Sequence, residues 1–244
     1  MAEWWTYRPS DFLMFSSHSY YRQFELYNAD LWPLQPIAIA LGVGLLGVLA
    51  WARARRPCAL WPQRIGCLLL GMAWLWVGIG YHAQRFASIN AAASGYAIAF
   101  LLQAGVLVAL GLTLHSAGPR GPDRADEPRP QASVHLIGLA LLAVAVLAYP
   151  LAGLPFSRPL AQAEVFGLAP DPTAVATLGL MLLLPRANTA LQRSLRCSAW
   201  AIALGWCALS ALTLATLGGS SAWLLPLSGW LALAPSAAAW RAAH

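Results

Sequence analysis

The 244-residue chain is 59 % hydrophobic and only 10 % charged, with a formal net charge of +6 and a mean hydropathy of +0.59. That balance lies outside the soluble globular range. All fifteen basic residues are arginine and none forms a compact stripe interleaved with aromatics, which argues against a nucleic-acid partner. Cys58, Cys67, Cys197 and Cys207 include no CxxC pair, so neither a disulfide framework nor a cysteine metal site is expected.

Residues 1–32 read as an interfacial amphipathic segment. The opening Met-Ala-Glu-Trp-Trp lacks a basic n-region and a cleavage site, so no signal peptide is expected. Ser10 and Asp11 can cap a short helix running through Phe15. In the following helix, Tyr21, Glu25, Asn28 and Trp32 share one face, while Tyr20, Phe24, Tyr27 and Leu31 form its neighbour. Pro33 and Pro36 then mark a fresh helix start or a kink.

Apolar runs follow at Pro33–Ala52, Ile65–Tyr81, Ser94–His115, Val134–Ala152, Thr173–Pro185, Cys197–Leu217 and Ala222–Trp240. About 20 apolar residues cross a bilayer core, so the expected fold is an all-α polytopic bundle of about seven spans. It divides into residues 33–115 with spans one to three, a flexible cytoplasmic loop over 116–133, and residues 134–244 with spans four to seven. The fifth span is the shortest: thirteen residues rise only about 20 Å, and Glu164–Thr173 is expected to dip into the membrane ahead of it.

The loops alternate in charge. Eleven of the fifteen arginines fall on one side, and six of the nine acidic residues on the other. Arg53, Arg55, Arg56 and Arg64 after span one, and Arg186, Arg193 and Arg196 after span five, are the topology signals. The positive-inside rule places them in the cytoplasm, with the N-terminus out and the C-terminus in. Trp32, Trp223, Trp51, Trp61, Trp200 and Trp240 fall near span ends as an interfacial belt, whereas Trp74, Trp76, Trp206 and Trp230 lie deeper and are expected to pack between helices. Ala38, Gly42 and Gly47 permit close helix approach, and Ser210, Thr213 and Thr216 could hydrogen-bond across helices.

Three polar clusters gather on the outer side. The first carries Glu25 and Asn28; the second, at the end of span two, His82, Arg85 and Asn90; the third, Glu164 and Asp171. Ionisable groups at a membrane rim are costly and commonly paired or functional, and Arg85 is expected to pair with Glu25 or Asp171. The candidate binding set is therefore Glu25, Asn28, His82, Arg85, Asn90 and Asp171, lining an outward-facing polar vestibule. The bland alternatives are an interfacial helix with solvated charges, a histidine satisfied locally, and a rigid turn opening span five.

Trp5-Thr-Tyr7, Asp11-Phe-Leu-Met-Phe-Ser16 and Tyr20-Tyr-Arg-x-Phe-Glu-Leu-Tyr-Asn28 with Trp32-Pro33 form one block of landmarks. His82-x-x-Arg85-Phe-x-x-Ile-Asn90, Tyr149-Pro150 and Phe166-Gly-x-x-Pro170-x-Pro-Thr173 form later ones. Together they resemble a functionally uncharacterised bacterial family of small multi-pass membrane proteins. The resemblance implies a bacterial inner (plasma) membrane and no assigned activity. Its usual pattern has Cys where this chain has Asp171, so a thiol role there falls away.

The sequence contains no HExxH, GxSxG elbow or glycine-rich phosphate loop, so no catalytic residue, metal or cofactor is assigned and catalysis is disfavoured. The leading expectation is a small-solute or ion permease, or a transport accessory. The alternatives are a sensor, scaffold or assembly factor holding a partner or lipid at the outer face, and a haem or quinone redox protein. The expected partners are the lipid bilayer and, open between them, a second copy or another membrane protein.

Overall fold

The computed structural model describes residues 15–55, 59–114, 132–218 and 223–241, the last seven by backbone alone. The expected cap at Ser10 and Asp11, Arg56, Cys58 and most of the 116–133 loop lie outside the described residues. Within them the chain is all-helical, and five helices are long and apolar enough to cross a membrane: Leu34–Arg55, Trp61–Ser88, Ala93–Thr113, Ala132–Phe156 and Ala190–Thr216.

Helix α1 (Ser17–Asp30) is capped by Ser16, whose hydroxyl accepts from the Ser19 amide, and it turns Tyr20, Phe24 and Tyr27 inward. This is one of the two faces read from the sequence, and it is the buried one. Helix α2 (Leu34–Arg55) follows on the periphery. Helix α3 (Trp61–Trp76) runs on through a π-helical segment, Val77–Ala83, and a short 3-10 turn. Helix α4 (Ala93–Thr113) returns against α3. Helix α5 (Ala132–Ala143) also ends in a π-helical segment, Val144–Ala148, before a 3-10 turn at Tyr149–Leu151. Helices α6 (Pro170–Leu183), α7 (Ala190–Thr216) and α8 (Leu224–Arg241) complete the chain.

The short fifth run is the centre of the molecule. All fourteen residues of α6 are buried, with α3, α5, α7 and α8 packed around them. A helix with no continuous polar face has no solvent side to offer and becomes the core of a bundle. Close approach to α5 is made by a glycine pair. A Cβ on Gly179 would lie 2.7 Å from the Gly138 carbonyl oxygen, and one on Gly138 would lie 2.9 Å from that of Gly179. Small residues facing one another let helix backbones come this near.

Polar groups on α6 are tied to its neighbours. The Trp74 indole on α3 donates to Thr177 Oγ1 at 2.8 Å. At the other end, the Arg196 guanidinium of α7 donates to the Pro185 carbonyl and lies 3.4 Å from that of Met181. Read from the sequence as a topology signal, Arg196 therefore also satisfies carbonyls that a helix C-terminus leaves free.

Two packing expectations are corrected. Gly42 does meet Val146 and Phe166, but nothing lies within 4 Å of a Cβ on Gly47, which faces open space. Trp230 is 66 % exposed rather than packed between helices; it sits on an outward face of α8, where an apolar side chain needs no protein partner if lipid surrounds it.

Candidate functional site

One end of the bundle holds a cluster of buried polar side chains built around two acids. The turn leading into α6 starts it. Gly167 adopts φ +76°, a left-handed conformation that glycine reaches without steric cost. Thr173 Oγ1 locks the turn by accepting from the Gly167 amide at 3.0 Å and donating to the Ala169 carbonyl at 2.7 Å. Asp171 therefore falls in the first turn of α6, where the positive end of the helix dipole favours a carboxylate.

Asp171 is completely buried and receives hydrogen bonds from two other segments. On α7 the Trp206 indole donates to Oδ1 and the Ser210 hydroxyl to Oδ2, both at 2.8 Å. The Tyr149 hydroxyl, just beyond α5, approaches Oδ2 at 3.4 Å. All three donors are neutral. An isolated ionised carboxylate in a low-dielectric interior is prohibitively costly, so this degree of satisfaction is what allows an acid to persist here.

Glu164 is the second buried acid, 3 % exposed. Arg158 approaches its Oε1 at 3.4 Å, while its Oε2 has no hydrogen-bond partner among the described residues. Burial, and then the charge of Asp171, push the Glu164 carboxyl well above the ordinary carboxylate range. Burial and the neighbouring charges of Tyr81, Asp171 and Glu164 likewise raise the Tyr20 hydroxyl, keeping it a neutral phenol.

His82 sits on the π-helical segment after α3 and is completely buried. Its ring lies edge-on to Phe100 at 4.4 Å, Trp206 at 5.0 Å and Tyr81 at 5.3 Å between centroids. Neither ring nitrogen has a hydrogen-bond partner among the described residues, and the Tyr81 hydroxyl has none either. Both π-helical segments adjoin the cluster, one presenting Tyr81 and His82 and the other ending at Tyr149. The wider π turn rotates the residues that follow, and such bulges recur at functional sites.

Two clefts flank the groups that bind Asp171. One is lined by Tyr20, Tyr81, His82, Phe86, Asn90 and Tyr96 together with Trp206, Ser210 and Thr213 of α7, and its empty volume with the open mouth is about 310 Å³. The other, of about 210 Å³, is lined by Tyr149, Arg158, Gln162 and Glu164 among others. Trp206 and Ser210 of the first cleft and Tyr149 of the second all bind the Asp171 carboxylate.

The six sequence-predicted binding residues do not form one site. His82 and Asp171 both contact Trp206 and belong to the cluster. Asn90 lines the first cleft while its side chain caps the Ala92 amide at 2.9 Å. Glu25 and Asn28 fasten α1 to the loop before α6. Gln162 donates to Glu25 at 3.1 Å, and Asn28 donates to the Ala161 and Ala163 carbonyls at 2.9 Å each. Hydrogen bonds from Gln162 and then Arg22 hold Glu25 below its ordinary carboxylate range. The expected partner of Arg85 is corrected: its guanidinium pairs with Asp30 on the surface, not with Glu25 or Asp171, because Glu25 is engaged by Arg22 and Asp171 is enclosed.

Tyr20, Tyr81, Tyr149, Trp206 and Ser210 complete the cluster and were not among the predicted set. Ser210 was legible as a cross-helix hydrogen-bonding residue and Trp206 as a deep indole, but nothing local in the sequence joins either to Asp171.

The described residues form an all-helical bundle closed around a buried carboxylate, with five helices long and apolar enough to cross a membrane. The chain belongs to a family of unknown function (DUF6064), whose model matches residues 17–235. Neither curated proteins nor solved structures gave a match.

Proposed function

We propose that this protein is a small-solute or ion permease, or the membrane subunit that serves one, and that its binding site is the cluster around Asp171. The chain crosses a bacterial inner membrane seven times, N-terminus out and C-terminus in, with α6 as the fifth and innermost crossing. This orientation rests on the sorting of arginines to one set of loops. It turns both clefts toward the outer side.

The observation that carries the reading is the complete burial of Asp171, whose hydrogen-bond donors among the described residues are all neutral. Ionisable groups within a membrane are expensive, and they concentrate on substrate and ion pathways. Below Asp171, α6 presents Val175, Leu178, Leu180, Met181, Leu182 and Leu183, all buried and apolar. That floor matches a site closed toward the cytoplasm, so passage requires a rearrangement around α6.

The test is flux into proteoliposomes across a panel of small ions and solutes, comparing the wild type with Asp171→Asn and Arg85→Ala. The proposal expects uptake of at least one solute that Asp171→Asn abolishes and Arg85→Ala leaves intact. Flux unchanged by Asp171→Asn, or no flux of any panel member by folded wild-type protein, would overturn it.

A further inference from the structure

The aromatic cleft beside His82 has a more specific chemistry than solute binding in general. Its walls are ring faces and edges from Tyr20, Tyr81, Phe86, Tyr96 and Trp206. Two of its lining groups are almost completely enclosed and lack hydrogen-bond partners among the described residues: the imidazole of His82, 0 % exposed, and the hydroxyl of Tyr81, 1 % exposed. Buried polar atoms of this kind are uncommon, and each needs an explanation.

The available hydrogen bonds favour an occupant that donates. A neutral imidazole has one N–H and one bare lone pair. The N–H can rest against an aromatic face, since Phe100 and Trp206 both surround the ring at large interplanar angles. The lone pair has no such outlet. The Tyr81 phenol oxygen and the Ser210 hydroxyl oxygen, which already donates to Asp171, offer further acceptors at the same cleft.

The electrostatics favour a positive charge. Aromatic faces attract cations through their quadrupole, more strongly when water is excluded. Asp171 stands one hydrogen bond behind the wall, through Trp206 and Ser210. Of the two buried acids, Glu164 faces Arg158, whereas the donors to Asp171 are all uncharged. An anion would meet the field of that carboxylate, and a neutral apolar molecule would leave His82 and Tyr81 unpaired. Size narrows the class again, because the 310 Å³ includes the open mouth and the room within it suits a small occupant.

We infer that the cleft lined by Tyr81, His82, Trp206 and Ser210 is a binding site for ammonium or a small primary alkylammonium ion, with Asp171 as its counter-charge. This assignment rests on the solute-binding reading above and supplies its substrate class. Selectivity over sodium follows from donor geometry: ammonium gives directed N–H bonds to the imidazole lone pair, whereas sodium, a hard cation suited to oxygen ligands, gains nothing directional from it.

The experiment is calorimetric titration of the purified full-length protein with ammonium chloride, methylammonium chloride, sodium chloride and choline chloride at matched ionic strength. The expected result is saturable one-site binding of ammonium, weaker binding of methylammonium, and none for sodium or choline. Asp171→Asn and His82→Phe should each weaken ammonium binding at least tenfold, with folding of both variants checked by monodisperse elution and thermal melting. Should either variant fail to fold, Ser210→Ala, which keeps the carboxylate and the imidazole, is expected to weaken binding severalfold. Absence of saturable ammonium binding by folded wild type, or equal binding by the folded variants, would overturn the assignment. Asp171-dependent flux of another solute without ammonium binding would refute this substrate class while leaving the transport reading in place. Ammonium binding without any flux would do the reverse.

Discussion

Replacing Asp171 by alanine and by asparagine separates what the carboxylate does for the fold from what its charge does for the site. Alanine removes the acceptor of three hydrogen bonds and strands the Trp206 indole, the Ser210 hydroxyl and the Tyr149 hydroxyl in the interior. A buried donor left unsatisfied costs roughly 1–3 kcal/mol. The two close donors carry most of the loss and the 3.4 Å contact of Tyr149 little, so the expected destabilisation is about 3–5 kcal/mol. Asparagine keeps a carbonyl oxygen for the indole and turns its amide to the two hydroxyls, which accept as readily as they donate. Its cost is expected to stay within about 1 kcal/mol, because no group is stranded. Thermal melting in detergent, with denaturant series where unfolding is reversible, measures the difference. Equal destabilisation by both variants would show that the charge itself holds the bundle together. A neutral alanine variant would refute the hydrogen-bond argument.

Other substitutions follow from the same geometry. Gly179→Val drives a side chain into the Gly138 carbonyl at 2.7 Å and is expected to cost about 3 kcal/mol or more, read as loss of monodisperse protein; Gly47→Ala, with nothing within 4 Å, should be neutral or mildly stabilising. Arg85→Ala breaks only a half-exposed pair with Asp30, so stability should change by less than about 1 kcal/mol in the same melts. Burial and Asp171 raise the Glu164 carboxyl to about 8, so the folded state holds a proton that the unfolded chain releases at lower pH. Stability from this group is therefore full below the ordinary carboxylate range and is lost as pH rises toward 8. Melting temperature in the wild type should fall as pH rises from the ordinary carboxylate range to about 8 and level off above it, and should respond less in Glu164→Gln; an unchanged slope in that variant would exclude Glu164 as the source.

The legible parts of this protein are those written in local periodicity. Apolar runs mark the helices to within a few residues at most ends, and the aromatic spacing Tyr20, Phe24, Tyr27 marks the face of α1 that the fold buries. The run at 173–185 was visible, but length alone reads it as a short crossing. Its central position comes from the small residues on α5 and α6 that let the helices close around it. Asp171 also stood out, between two prolines at a helix start. Its partners did not, because Tyr149, Trp206 and Ser210 lie 22, 35 and 39 residues away and reach it only through helix packing. Arg85 shows the same limit from the other side. Charge complementarity names Glu25, Asp30 and Asp171 equally well, and only the enclosure of Asp171 and the engagement of Glu25 leave Asp30. The π-helical segments that aim His82 and lead into Tyr149 have no sequence period of their own.

A buried carboxylate on α6 that serves an outward-facing site for a small ion would make binding at that site electrically visible. Charge displacement on a supported membrane tests it most directly, by recording the transient current when proteoliposomes meet a jump in cation concentration. Wild-type protein is predicted to give a saturable transient on an ammonium jump, and folded Asp171→Asn none. Transients of equal size from both proteins would contradict a carboxylate-dependent site, and none from either would remove ammonium as its occupant.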